Sequence, residues 1–180
     1  MAKKVEGKVR LAIIGAGGIS GAHAGGMLKH KDKVECVALC DISEDNLRKR
    51  NEQLGGERPS FKDWRKMLGE MGDKLDAAII CLPHHLHAKA IIDCAAAGKH
   101  ILCEKPMCMS LKEADAIAEA VAKAGVTYMS AHNQLFLPVV QEAKKLIDAG
   151  KVGRVRWLRS QDCFLAGVNW FPGTWRASEP

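Results

Sequence analysis

A glycine-rich stretch near the start of the chain has the residue types of a phosphate-binding turn. Val9–Ile14 is mostly apolar and β-branched, as in a buried parallel strand, and Gly15 and Gly17 follow it. Gly15 can take a tight bend because it has no Cβ, and Gly17 would let a diphosphate approach the first N–H groups of the next helix. Ser20 stands where this pattern usually has a third glycine. The alternative interpretation is an ordinary glycine-rich turn between a strand and a helix.

An aspartate after the second predicted strand strengthens the dinucleotide interpretation. Asp41 follows the apolar run Val34–Leu39 and lies about 20 residues beyond Ser20, the spacing at which a carboxylate reaches the adenosine ribose of NAD. No arginine directly follows Asp41 to bind a 2′-phosphate, so the sequence predicts NAD in preference to NADP. Asp41 could instead cap the helix that begins near Ser43.

A run with three histidines follows another predicted strand. Leu82-Pro83-His84-His85-Leu86-His87 comes after the apolar run that begins at Leu75, at an edge where doubly wound sheets bind their ligands. Three histidines in four residues suggest zinc, but no carboxylate or thiol lies at ligand spacing beside them. The sequence therefore predicts no metal, and histidines that line a cofactor cleft or cap a helix are favoured.

Lys105 follows the next predicted strand, His100–Cys103, and has a side chain that can move a proton. Partial burial beside the positive nicotinamide ring of bound NAD⁺ would favour its neutral amine and make it a proton acceptor. Glu104 could pair with this amine and set its position. The alternative is a surface ion pair in front of the turn at Pro106.

The order of predicted elements indicates an α/β fold with a doubly wound parallel sheet. Short apolar strands alternate with helical segments from Val9 to Ala131, which predicts right-handed βαβ units with helices on both faces. After this range we expect a helix over Pro138–Gly150 and a strand over Val152–Gln161, which cannot enclose a core of their own. The chain is thus predicted to hold a Rossmann domain over 1–133 and the beginning of a second, incomplete α/β domain over 134–180.

Composition narrows the class of protein. The 180 residues carry a net charge of +6, from 27 Lys and Arg against 21 Asp and Glu, and the charges are mixed along the chain rather than clustered as nucleic-acid binding would need. The apolar runs are too short to span a bilayer, and the N-terminus has no apolar core for export. The odd number of cysteines, 7, is best explained by buried free thiols. We therefore expect a cytoplasmic protein that binds neither membranes nor nucleic acids.

Several motifs occur together in the order and spacing of one enzyme family. They are the glycine turn with Ile19, Asp41, Pro83 with His87, Glu104-Lys105-Pro106, Asn133, and the helix Pro138–Gly150 followed by Lys151-Val152-Gly153. Over residues 8–163 the chain resembles the glucose–fructose oxidoreductase / inositol dehydrogenase (Gfo/Idh/MocA) family, with Glu-Lys-Pro as the most specific element. The resemblance implies an NAD(P)-dependent oxidoreductase that acts on a sugar, polyol or related compound. It also implies a C-terminal sheet that covers the substrate and joins subunits of a homo-oligomer.

The resemblance implies a role for each matched position. The positions that would hold the diphosphate are Gly15, Gly17, Gly18 and Ile19, and Asp41 would hold the ribose. The positions that would line the nicotinamide side are Leu82, Pro83, His84 and His87, with Glu104 and Lys105 beside the ring. Asn133, Trp175 and Arg176 would complete the cofactor or substrate cleft, and Lys105 would be the catalytic residue.

Members of this family usually have a second catalytic motif, Asp-x-x-x-His, in a longer C-terminal domain. This motif would be expected beyond Arg176, whereas the sequence ends at Pro180. We therefore expect most of the substrate domain to be missing, whether the chain is a fragment or a short natural product. Besides a dehydrogenase, two alternatives remain: an NAD-dependent glycoside-cleaving enzyme of the same family, and a non-catalytic dinucleotide-binding module.

Overall fold

The structure, a computed structural model, describes residues 7–161 and 163. The chain forms two compact units, Met1–Ala131 and His132–Pro180. Most of the predicted site residues lie in the first unit.

The first unit is built on a six-stranded sheet in which every paired strand runs parallel to its neighbour. The strands are β1 (Val9–Ile14), β2 (Val34–Cys40), β3 (Ser60–Phe61), β4 (Ala77–Ile80), β5 (His100–Cys103) and β6 (Tyr128–Ser130). Their order across the sheet is β3-β2-β1-β4-β5-β6. This order is that of a Rossmann fold, so the predicted doubly wound sheet is confirmed.

Helices connect these strands. They are α1 (Ser20–Lys29), α2 (Glu44–Gln53), α3 (Trp64–Glu70), α4 (His84–Ala96) and α5 (Leu111–Ala124), with a short 3₁₀ helix over Gly72–Lys74. The expected cap residues mark several ends: Asp63 accepts hydrogen bonds from the first N–H groups of α3, and Gly125 ends α5 in the left-handed conformation with φ +63°. None of the helices in the described part of the chain is long and apolar enough to cross a membrane.

The core lies on both faces of the sheet. Alternate residues of β1 belong to different clusters, with Ala12 and Ile14 in one and Ile13 in the other. All three side chains are fully buried, because successive residues of a strand face opposite sides and helices cover both. The central strands are thereby fixed, and the loops at their carboxyl ends start from rigid positions.

The second unit has less regular structure in its described residues. A 3₁₀ helix over Asn133–Phe136 precedes α6 (Pro138–Asp148), and every described residue from 132 onward is exposed. The predicted strand over Val152–Gln161 is wrong: these residues form a turn and irregular backbone. A strand needs a neighbour to accept and donate its ladder hydrogen bonds, and all described strand pairs lie in the first unit.

Candidate functional site

The loops that follow the central strands meet at the carboxyl edge of the sheet. The strand order reverses between β1 and β4, which is the point where doubly wound sheets open a crevice for ligands. The N–H of Cys81 donates to the carbonyl of Ile14 at 2.7 Å, and the N–H of Glu104 donates to the carbonyl of Ile80 at 2.9 Å. The loops after β1, β4 and β5 are therefore joined side by side.

Gly15 is required by the geometry of the first loop. Its φ is +93°, and a Cβ built on it would lie 2.4 Å from the carbonyl oxygen of Cys81. Both the left-handed backbone and the close approach exclude a larger residue. A Cβ on Gly17 or Gly18 would meet no atom within 4 Å, so the outer side of the turn is open. Ser20 is fully buried and its hydroxyl donates to the carbonyl of Gly17 at 2.6 Å, which explains a small residue there.

The helix that follows this turn begins without a side-chain cap. Ile19 occupies the N-cap position of α1, no side chain accepts from its first N–H groups, and no acidic residue lies in its first turn. The neighbouring helix α4 begins in the same way after Pro83. By contrast, α2 and α5 are capped by Ser43 and Ser110. The two helices after the central strands β1 and β4 thus leave their positive ends available to an anion.

Asp41 lies beside the glycine turn. Its Oδ2 accepts the backbone N–H of Ala16 at 2.7 Å, and its Oδ1 accepts the N–H of Ser43 at 2.8 Å and the side-chain amide of Asn46 at 3.3 Å. The N-cap of α2 is Ser43 rather than Asp41. The carboxylate therefore ties the end of β2 to the turn, 25 residues earlier in the chain.

Glu104 pairs with a different residue from the one expected. Its Oε1 lies 2.9 Å from Nε2 of His23 in α1, and its Oε2 accepts the backbone N–H of Lys105 at 3.2 Å. The predicted pair between Glu104 and the Lys105 amine is therefore wrong. A carboxylate only accepts hydrogen bonds, so Nε2 of His23 carries the hydrogen. No local pattern could have revealed this contact, because the two residues are 81 positions apart.

Lys105 is exposed at the end of this segment. The partial burial expected for it is therefore not found, and its side chain remains hydrated. Its backbone is nevertheless fixed on the Glu104 carboxylate, which is itself held by His23. The peptide bond between Lys105 and Pro106 is cis.

His87 is buried against the loop that follows β5. Its side chain is fully buried, with Nδ1 2.7 Å from the carbonyl oxygen of Pro106 and Nε2 2.8 Å from that of Leu82. His87 thereby joins the loop after β4 to the loop after β5. A neutral imidazole can donate to only one of these carbonyls, whereas an imidazolium donates to both.

The remaining predicted site residues fall into three groups. His84 is the first residue of α4, and its ring packs edge-on against that of His87 with centroids 5.7 Å apart. Asn133 begins the 3₁₀ helix of the second unit. Trp175 and Arg176 lie outside the described residues. Within the described part of the chain, no three or more His, Cys, Asp or Glu residues are grouped so as to hold a metal ion.

The sequence matches the family model GFO_IDH_MocA, described as an oxidoreductase family with an NAD-binding Rossmann fold, over residues 9–132. The chain belongs to this family. The matched range contains the sheet, the glycine turn and the loops at its carboxyl edge, and it ends where the first unit ends.

Two inositol dehydrogenases are similar in sequence to this chain over most of its length. The myo-inositol 2-dehydrogenase of Thermotoga maritima is 32% identical over 151 residues, which are 84% of this chain and 44% of that protein. The scyllo-inositol 2-dehydrogenase (NAD(+)) of Bacillus subtilis is 33% identical over 83% of this chain and 43% of its own length. The chain therefore spans less than half the length of these relatives.

A solved structure shows the same arrangement. The WlbA dehydrogenase from Bordetella pertussis, crystallised with NADH and UDP-GlcNAcA, superposes with a TM-score of 0.72 at 30% identity. The match covers 82% of this chain and 44% of that protein. The similarity thus covers less than half of a longer protein, as it does for the inositol dehydrogenases.

Proposed function

We propose that this chain is the NAD-binding part of an oxidoreductase that transfers a hydride between a nicotinamide cofactor and a sugar, polyol or related hydroxy compound. The observation that carries the proposal is the open glycine turn, which lies between the uncapped N-terminus of α1 and the carboxylate of Asp41. The names of two relatives support the substrate class, since both are inositol dehydrogenases. The NADH in the WlbA dehydrogenase supports the cofactor.

The residues of the turn fit a dinucleotide. The space beyond Gly17 and Gly18 gives room for a diphosphate, and the N-terminus of α1, which has no side-chain cap, would present its positive end to it. Asp41, at the end of β2, would accept hydrogen bonds from the ribose hydroxyls. When bound, NAD would supply the hydride acceptor or donor.

Lys105 is the residue of this chain that we assign to proton transfer. Lys105 is exposed at the carboxyl edge of β5. In its neutral form, which the positive nicotinamide ring of bound NAD⁺ would favour, its amine can accept the proton of a substrate hydroxyl and return it in the reverse direction. Two contacts fix its segment: His23 holds Glu104 on one side, and His87 holds the carbonyl of Pro106 on the other. These contacts position the backbone of Lys105 without occupying its amine.

Cofactor preference tests the first part of the proposal. Calorimetric titration of the chain should show NADH binding tighter than NADPH by about 1–3 kcal/mol, because the Asp41 carboxylate accepts from a 2′-hydroxyl and repels a 2′-phosphate. Asp41→Asn should remove most of this difference. Asp45→Asn is the matched control, since Asp45 is an exposed acid in the first turn of α2 that pairs with Arg48 and Lys49. Equal or tighter NADPH binding would contradict the assignment.

Turnover tests the second part. In a version extended to the length of the relatives, Lys105→Ala should lower kcat by roughly 10²–10⁴ and leave NADH affinity nearly unchanged. Lys112→Ala, at an exposed position of α5, is the control for loss of a surface amine. Near-normal turnover without Lys105 would give it a structural role.

The reaction products distinguish the three candidate functions. Net formation of NADH identifies a dehydrogenase, sugar release without net NADH identifies a glycoside-cleaving enzyme, and binding alone identifies a non-catalytic module.

Two further properties belong to the proposal. The whole protein would assemble as a homo-oligomer through the sheet of its C-terminal domain, and it would work in the cytoplasm. Seven free cysteines, of which five are buried, support a reducing compartment. The 180-residue chain alone would bind NAD(H) and oxidise no sugar or polyol at a useful rate.

A further inference from the structure

A buried arginine lies directly beneath the glycine turn. Arg50, in the last turn of α2, is only 8% exposed. Its Nη2 donates to the carbonyl oxygen of Gly17 at 3.0 Å and to that of Ala16 at 3.4 Å, and its Nη1 donates to Oε1 of Gln53. A Cβ on Gly21 would lie 2.8 Å from Nη1, so the guanidinium also fills the space against the first turn of α1.

This guanidinium has no countercharge. Arg50 forms no ion pair with any carboxylate in the part of the chain that the structure describes, and its buried Nε has no hydrogen-bond partner. Burial lowers the pKa of Arg50 below its ordinary value. Buried charges in proteins are normally paired, because leaving water without a partner is costly. An unpaired buried cation beside a binding turn therefore implies that its anion is a ligand.

The contacts of Arg50 also orient the turn. In a planar trans peptide the C=O and the following N–H point in opposite directions. With the carbonyls of Ala16 and Gly17 held by the guanidinium, the N–H groups of Gly17 and Gly18 are turned away from it. A Cβ on Gly17 or Gly18 would meet no atom within 4 Å, so the turn has open space beside both residues.

We propose that Arg50 is the positioning residue and buried countercharge for the diphosphate of the dinucleotide. Its planar guanidinium holds the turn so that the N–H groups of Gly17 and Gly18 are directed at the anion. Its positive charge attracts the diphosphate through the intervening backbone, where screening by water is weak. The inference rests on the proposed function, since it names a determinant of cofactor affinity at that site. It also gives a reason why Gly21 follows Ser20: a side chain there would displace the guanidinium.

The test is NADH binding by the whole chain with Arg50→Gln, which keeps N–H donors near the turn and removes the charge. We expect the Kd to rise about tenfold and the salt dependence of binding to become shallower, while the urea midpoint of the ligand-free chain changes little. Arg58→Gln is the matched control, because Arg58 also binds three backbone carbonyls, those of Cys36, Leu54 and Gly56, outside the turn. Its Kd should stay within about twofold of the unaltered chain.

Three outcomes would overturn the inference. A Kd and salt dependence of Arg50→Gln equal to those of the unaltered chain would show that the charge does not act on the ligand. Arg50→Lys keeps the charge and should retain much of the affinity of the unaltered chain. A folded lysine variant that binds NADH about tenfold more weakly than the unaltered chain would contradict the electrostatic role, and this comparison stands even if Arg50→Gln fails to fold. Absence of NADH binding by the unaltered chain would overturn the proposed function and this inference together.

Discussion

The two units of the chain differ in how far their helices are buried. In the first unit α4 packs on the sheet, and Ile91 on this helix is fully buried. In the second unit α6 carries an apolar face of similar character, yet Ile147 on that face is 36% exposed and no residue of α6 is buried. The first unit therefore completes its own core, and it contains the glycine turn, Asp41 and the loop with Lys105. The sequence predicts a helix in both places, but a helix is buried only where a partner surface exists.

The largest expected difference between the units is in stability. Ile91→Ala should lower the free energy of unfolding by about 2–5 kcal/mol, because it removes buried methyl groups and leaves a cavity. Ile147→Ala makes the same change on an exposed helix face and should cost less than about 1 kcal/mol. Urea unfolding of both variants measures this. Similar losses from the two substitutions would mean that α6 is as well packed as α4.

A smaller difference is expected between two ion pairs. Asp76 accepts from the backbone N–H and the side chain of Arg10, with Nη2 2.7 Å from Oδ1, and only 13% of its side chain is exposed. Asp148 pairs with Lys144 on the surface of α6, with 58% of its side chain exposed. Asp76→Asn should cost about 1–2 kcal/mol near neutral pH and Asp148→Asn about 0.5 kcal/mol or less, as measured by urea unfolding.

The Asp76 effect should depend on pH with a definite sign. The hydrogen bond from Arg10 holds the pKa of Asp76 below its ordinary value of 3.8. A carboxyl with a lowered pKa contributes its stability above the unfolded-state value and loses it as the pH falls through the folded-state value. The difference between the unaltered chain and Asp76→Asn should therefore be constant near neutrality and shrink below about pH 4. A difference that grows on acidification would contradict the pair.

The smallest expected effect is a difference in reactivity between buried and exposed cysteines. Five thiols of the first unit are buried: Cys36, Cys40, Cys81, Cys94 and Cys103. Burial raises the pKa of Cys36 to about 11 and that of Cys81 to about 12, so their thiolate fraction is negligible at neutral pH. A thiol reagent should label exposed Cys163 rapidly and half-buried Cys108 more slowly, and should reach all seven cysteines only in denaturant. Rapid labelling of a third thiol would show that the core opens.

Much of the fold is predictable because its signals are local. Short apolar runs alternate with capped helices, and Gly15 marks the turn that only a glycine can make. The predicted strand over Val152–Gln161 failed for the opposite reason, since alternation favours a strand but cannot supply the neighbour that it needs.

The supports of the candidate site could not be predicted, because they depend on distant contacts. His23 reaches Glu104 across 81 positions, and His87 is buried by two loops that its own neighbourhood does not reveal. Arg50 lies in a run of charged residues that is typical of a solvated helix face. Its contact with the glycine turn depends on the packing of α2 against α1, which the sequence does not reveal. The residues proposed to bind the cofactor follow a motif, whereas those that hold them in place are determined by the packing.

The proposed dinucleotide site takes its contacts from the glycine turn, Asp41 and Arg50, all of which lie in the first unit. The most direct test compares calorimetric titrations of NADH into the 180-residue chain and into a chain that ends at Ala131, with circular dichroism to check that the shorter chain is folded. The account predicts Kd values that agree within about threefold, a difference of less than 1 kcal/mol. Binding by the longer chain with none by the folded shorter chain would show that the second unit forms part of the site, and would contradict the account.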